Sequence, residues 1–134
     1  MATVTPTLTI SSSDAFSSNN ISVSATANLT AVAPMQDMST IIAEATDGAN
    51  SIIKPTSAAV AYLYIRHTST TNGTTANTTD SVDVEFTTSD ICFARLGPGE
   101  FLFMPFNFAG VTNGVQLETT ANTVLCEYMW FTKG

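Results

Sequence analysis

Val4, Pro6, Leu8 and Ile10 alternate with Thr3, Thr5, Thr7 and Thr9, the two-residue period of a strand with one apolar and one threonine face. Pro6 has no N–H to give a neighbouring strand, which assigns this segment to a sheet edge. After a polar stretch at 11–20 the alternation resumes through Ile21, Val23, Ala25, Ala27 and Leu29, and Pro34 is predicted to stop it. Ile41-Ile42 and Ile52-Ile53 flank Asp47-Gly48, a dipeptide that tolerates positive φ and so favours a hairpin turn. Residues 58–67 form a nearly continuous apolar run. Its β-branched and aromatic members predict a central strand buried on both faces, with a short helix as the alternative that periodicity alone leaves open.

Residues 68–80 carry no large apolar side chain and are expected to form a long exposed loop or hairpin tip. Next comes the cleanest alternation in the chain, with Val82, Val84 and Phe86 inward and Asp83 and Glu85 outward. The apolar run 91–96 then meets Gly97-Pro98-Gly99-Glu100, and a second run leaves it at 101–106. Pro98 presets φ for the second position of a turn and Gly99 supplies the positive φ of a type II third position, so the chain reverses here. Residues 107–114 form another loop, 115–118 a short strand, and 124–131 the last. Phe101 and Phe103 share one face, as do Val124, Cys126, Tyr128 and Trp130, and the two sets are expected to meet. The expected core therefore includes Val82, Val84, Phe86, Phe101, Phe103, Tyr128 and Trp130. About eight strands with regular turn signals and no amphipathic helix predict an all-β fold, a single antiparallel β-sandwich or jelly roll. Residues 1–20 are expected to form an edge strand and flexible arm, and 21–134 the sandwich domain.

At 134 residues one domain can bury a sizeable core without disulfides or metal. Charged residues are only 11% of the chain, and Thr and Ser, which suit half-exposed pleated surfaces, supply the polarity. A net charge of −7 with four fixed cations repels phosphate backbones, which argues against a nucleic-acid partner. No apolar run is long enough to span a bilayer, and Met1-Ala2-Thr3 lacks the start of a secretory signal, so a cytoplasmic origin without a membrane partner is expected. The sequons at Asn20, Asn28, Asn72 and Asn77 then reflect composition.

Candidate chemistry is sparse. His67 is the sole histidine and ends an apolar strand, so a satisfied strand-end histidine is preferred to a catalytic triad. Cys92 and Cys126 lack the spacing of a zinc site, and buried free thiols are the default, with a bridge as the alternative if their strands are neighbours. Asp80, Asp83, Glu85 and Asp90 gather near one strand, where a solvated face is preferred to a weak calcium contact. Phe106 and Phe108 are candidates for stacking on a sugar or packing into a neighbour, against the simpler role of core or loop anchors. These residues imply no enzyme, no metal and no cofactor.

The succession Phe93-Ala94-Arg95-Leu96-Gly97-Pro98-Gly99-Glu100-Phe101, then Phe103-Met104-Pro105-Phe106, Leu117 and the closing Val124-Leu125-Cys126-Glu127-Tyr128 resembles small β-sandwich virion structural proteins of tailed bacteriophages. The match covers about the last 45 residues and is a pattern of turns and strands. It implies a non-enzymatic capsid decoration (cement) protein that contacts major capsid subunits, a homotrimer, located in the virion and made in the host cytoplasm. A neck or tail component is the nearest alternative, and a carbohydrate-binding or receptor-binding module another. Val4, Leu8, Ile10, Phe106 and Phe108 are the expected contacts with neighbouring copies or the shell. An aromatic platform in a loop would favour sugar binding, and a flat apolar patch on a sheet face would favour assembly.

Overall fold

Residues 1–15, 19–45, 52–55, 60–87, 89–108 and 114–134 are described by a computed structural model, and among them are eleven β-strands and no helix. β1 (Ala2–Val4), β4 (Leu29–Ala43), β11 (Val124–Lys133), β6 (Val60–His67) and β9 (Phe101–Asn107) form one antiparallel sheet in that order. β5 (Ile52–Ile53), β10 (Val115–Thr119), β7 (Val82–Phe86) and β8 (Ser89–Leu96) form a second. β2 (Thr7–Ser12) and β3 (Ile21–Thr26) pair with each other as a separate two-stranded ribbon. The fold is all-β and antiparallel, with more strands than the eight expected.

The main core draws on both larger sheets. Leu63, Ile65, Val124, Cys126 and Trp130 from the five-stranded sheet cluster with Val82, Val84, Val115 and Leu117 from the four-stranded one, all essentially shut off from water. Phe86 and Tyr128 pack against the edge of this cluster. A second cluster, Ala31, Tyr62 and Phe131 with Val4, Leu29 and Phe103 against it, lies apart from the first. Register explains the split: Leu63 opposes Trp130 and Met104, whereas the next residue along, Tyr64, opposes Met129 and Phe103. Alternate residues of β6, β9 and β11 therefore serve opposite faces of one sheet.

Several expectations are corrected by non-local pairing. Pro34 does not end its strand. β4 runs through it, and the ladder with β11 shifts register between Val32 and Met35, so Pro34 sits in a bulge where no ladder N–H is required. A second shift lies at Asp37 and Met38, where the Asp37 side chain accepts the Met38 N–H. Asp47-Gly48 falls outside the described residues, and the strands on either side of it, β4 and β5, belong to different sheets.

The Gly97-Pro98-Gly99-Glu100 turn forms as expected. Gly99 has φ of +82°, the Glu100 N–H donates to the Gly97 carbonyl at 3.0 Å, and the Glu100 carboxylate accepts the Gly97 N–H at 2.7 Å. It does not make a hairpin, however, because β8 joins the four-stranded sheet and β9 the five-stranded one. The pairing also cuts across the boundary placed at residue 20: β1 belongs to the five-stranded sheet, and the separate element is the ribbon running from Thr7 to Thr26.

Candidate functional site

The face of the five-stranded sheet that carries the second cluster is unusually aromatic. Tyr62 stacks on Phe103 with ring centres 5.9 Å apart and planes 6° apart, and tilts against Phe131 at 5.2 Å. Tyr64 meets Phe101 at 6.3 Å. These pairs form because β9, β6 and β11 are neighbours and the rings occupy facing or diagonal positions on one side. An Arg66–Glu127 ion pair at 3.4 Å borders the row at one end. Toward Phe101, which is 58% exposed, the row is open to solvent. This corrects the expectation that Phe101 lies in the core, and Phe103 is half-buried in the outer cluster and does not join Cys126 and Trp130.

A groove of about 710 Å³ runs along this face. Tyr64, Phe101, Phe103 and Met129 line it, with Val4 and Leu8 from the N-terminal segment as further lining. A second depression of about 400 Å³ adjoins it, sharing Val4 and Met129 and extending to Met35 and Phe131. Chemically the surface can bury apolar groups and stack flat ones, and the groups just named carry no charge.

The β2–β3 ribbon continues the apolar character. Leu8 opposes Ala25, Ile10 opposes Val23 and Ser12 opposes Ile21, so one side is aliphatic, while Thr7, Thr9, Ser22, Ser24 and Thr26 cover the other. Leu8, Ile10 and Val23 are exposed by 48%, 46% and 49%. Phe106 and Phe108, expected as contacts, are core residues instead, at 5% and 2% exposure. Phe106 packs against Phe86, Phe93 and Phe108 at 5.8, 5.5 and 4.4 Å.

His67 sits at the end of β6 with no exposed surface. Its Nδ1 accepts the Ser69 N–H at 2.9 Å, which leaves Nε2 to donate to the Asp80 carbonyl at 3.1 Å. Both ring nitrogens are thus engaged by backbone, and the histidine braces the 68–80 segment. Ser69 there has φ of 62°, and the buried Asn77 donates to the Asp80 carboxylate at 2.9 Å, as Asn122 also does. The ends of this segment are therefore anchored inside the protein, not exposed as expected, and Asn77 is committed to that network.

Asp83, Glu85 and Cys92 bring ligand atoms within 4.8 Å of one another. Asp83 is already matched by Arg95, whose Nη2 donates at 2.8 Å while Nε donates to the other carboxylate oxygen. Glu85 keeps the face it shares with Asp83, since β7 pairs with β10 in unbroken register, but it is buried there, not solvated as expected. Burial first, then the Asp83 carboxylate, pushes the Cys92 thiol up, which disfavours the thiolate a soft metal would need. Cys126 is buried and pushed up to about 12 by that burial, whereas Cys92 is exposed, which corrects the expectation of a buried thiol there; both cysteines are free.

The Arg95 hydrogen bond holds the Asp83 carboxyl below its usual range, and bonds from Asn122 and Asn77 do the same for Asp80. A folded-state pKa that is depressed contributes stability above the unfolded value of about 4, and this is lost as pH falls through the lower folded value. Asp83→Asn is therefore expected to cost about 0.5–1 kcal/mol at pH 7, given the exposure of Arg95, and less once the pH is well below 4. Denaturant melts at the two pH values check this. An equal loss at both would remove the charge pairing as its cause.

A scan against protein-family models gave no match to this chain, and a search of curated proteins found none similar to it.

Proposed function

We propose that this chain is a non-enzymatic virion structural protein, a capsid decoration protein built as a single β-sandwich that reinforces contacts between major capsid subunits. The observation that carries the assembly part of this reading is the apolar groove on the outer face of the five-stranded sheet, edged by Phe101, Tyr64 and Met129. Exposed apolar surface gathered on one sheet face favours burial against another protein. A sugar site would place its aromatic platform in the 68–80 or 107–114 loop; residues 68–80 contain no aromatic side chain, and Phe108 in the second loop is buried. The shared core between two antiparallel sheets supports the sandwich arrangement. Sparse charge supports assembly too, since few ions need desolvating when such surfaces meet. The virion setting rests on the resemblance of the C-terminal strands and their Gly-Pro-Gly turn.

Quantitative mass spectrometry of purified particles tests the role. The expected result is a copy number in fixed proportion to the major shell protein, and particles lacking the chain should lose integrity at lower temperature. A few copies per particle would replace the decoration role with a neck or tail position, and absence from particles would reject the virion reading.

A further inference from the structure

The β2–β3 ribbon carries a contradiction that a partner would resolve. A two-stranded hairpin is marginal in water by itself, and this one pairs with no third strand among the described residues. Yet it keeps a continuous aliphatic side, formed by Leu8, Ile10, Ile21 and Val23, and leaves much of it in solvent. We propose that this side of the ribbon docks on the outer sheet face of a second copy of the chain, over the groove lined by Tyr64, Phe101, Phe103 and Met129.

Continuity, charge and area all favour a second copy as the occupant. Residues 4–9 of the same chain, Leu8 among them, already line the groove, so the ribbon's exposed aliphatic residues follow directly along the chain from it. Two copies with a net charge of −7 each can approach closely only through uncharged surfaces. Neither β2 nor β3 contains a charged residue, and the four groove residues named above are uncharged as well. The charges nearby are the Arg66–Glu127 pair, already matched, at one end of the row and Asp37 in the adjoining depression.

The area is also adequate. Six residues per strand at about 3.4 Å each make a ribbon roughly 20 Å long. Its half-exposed aliphatic side offers on the order of 300 Å². If every copy gives one ribbon and receives one, each pair of reciprocal contacts removes about 1,200 Å² or more from solvent, the lower end of stable interfaces. Ile10, Ile21 and Val23 do not line the groove, so giving a ribbon and receiving one are separate contacts, satisfied in a closed oligomer in which no groove is left empty.

This inference deepens the assembly reading, but the two can fail separately. A self-associating chain absent from particles would keep the ribbon contact and remove the virion role, and a chain bound to particles as isolated single copies would do the reverse.

The test has two parts. Light scattering at tens of micromolar should give twice the 14.1 kDa of one chain, falling to one chain in Leu8→Asp/Ile10→Asp/Val23→Asp. A monomeric native chain, or an unchanged mass in the triple variant, would overturn the proposal. Since the triple variant could also disturb the ribbon itself, cross-linking decides independently. In a Cys92→Ser background, Ile10→Cys chains are co-refolded with Phe101→Cys chains lengthened by a tag, then oxidised. Mixed two-chain species are expected to dominate. Their absence would reject the docking, and in a chain carrying both Ile10→Cys and Phe101→Cys a disulfide formed only within one chain would show that the ribbon folds on its own sheet.

Discussion

Replacing Phe106 with Ala is expected to cost about 3–5 kcal/mol, the range for removing a buried aromatic ring and leaving a cavity. The ring bridges the two larger sheets, touching Phe86 on β7 and Phe93 on β8 from its place on β9, with Phe108 closing over it at 4.4 Å. Such a loss is a large part of the 5–15 kcal/mol that holds a typical domain together. Phe103→Ala, three residues away on the same strand, is expected to cost only about 1–2 kcal/mol, because Phe103 is half-buried on the outer face and stacks mainly on Tyr62. Denaturant melts of the two variants, run at a concentration where both are in the same oligomeric state, compare them directly. If Phe103→Ala proved the more damaging, the assignment of faces on β9 would be inverted and the outer groove would be a core.

The opposite fates of these two phenylalanines mark where sequence reasoning runs out. Segments with strict alternation, such as 7–10 and 82–86, declare their faces, and the aliphatic side of the ribbon could be read from Leu8 and Ile10 among threonines. In 101–106 every residue is apolar, so alternation carries no information about which parity faces the core. The decision comes from register: Phe106 opposes Ala61 on the inner side of β6, and Phe103 opposes Tyr64 on the outer side. The even parity of Leu102, Met104, Phe106 and Phe108 was a weak signal, since it alone excludes Pro105 from the buried set.

Pairing partners were equally hidden. The Gly97-Pro98-Gly99 turn is encoded by its own φ preferences and forms accordingly, but whether the strands it joins pair with each other depends on β6 and β7, which compete for them from elsewhere in the chain. The same applies to Pro34 and Glu85. A local rule puts proline at the end of a strand, and a bulge in β4 overrides it; a local rule also leaves an outward acid in water, and Glu85 is buried on that face of a strand flanked by β8 and β10. The candidate surface was legible in its N-terminal half only, because the groove exists once β6, β9 and β11 lie side by side.

His67→Leu should destabilise the protein by about 2–3 kcal/mol although it replaces a buried side chain with one of similar bulk. The imidazole accepts the Ser69 N–H and donates to the Asp80 carbonyl, and leucine satisfies neither, so two polar backbone groups beside a side chain with no exposed surface lose their partners. The damage should also be directional. Ser69 holds a positive φ, and the Asn77 N–H donates to the Ser69 carbonyl at 2.8 Å, so freeing Ser69 loosens the whole turn that seats Asn77 and Asp80. Hydrogen exchange should therefore accelerate in 68–80 and at Leu125, whose N–H donates to the Thr70 carbonyl, before it accelerates in β7 or β10. The ribbon lies on other elements and should keep its exchange rates. If His67→Leu left both the melt and the exchange of 68–80 unchanged, the imidazole would not be bracing that segment, and a role for its nitrogens other than structural would have to be sought.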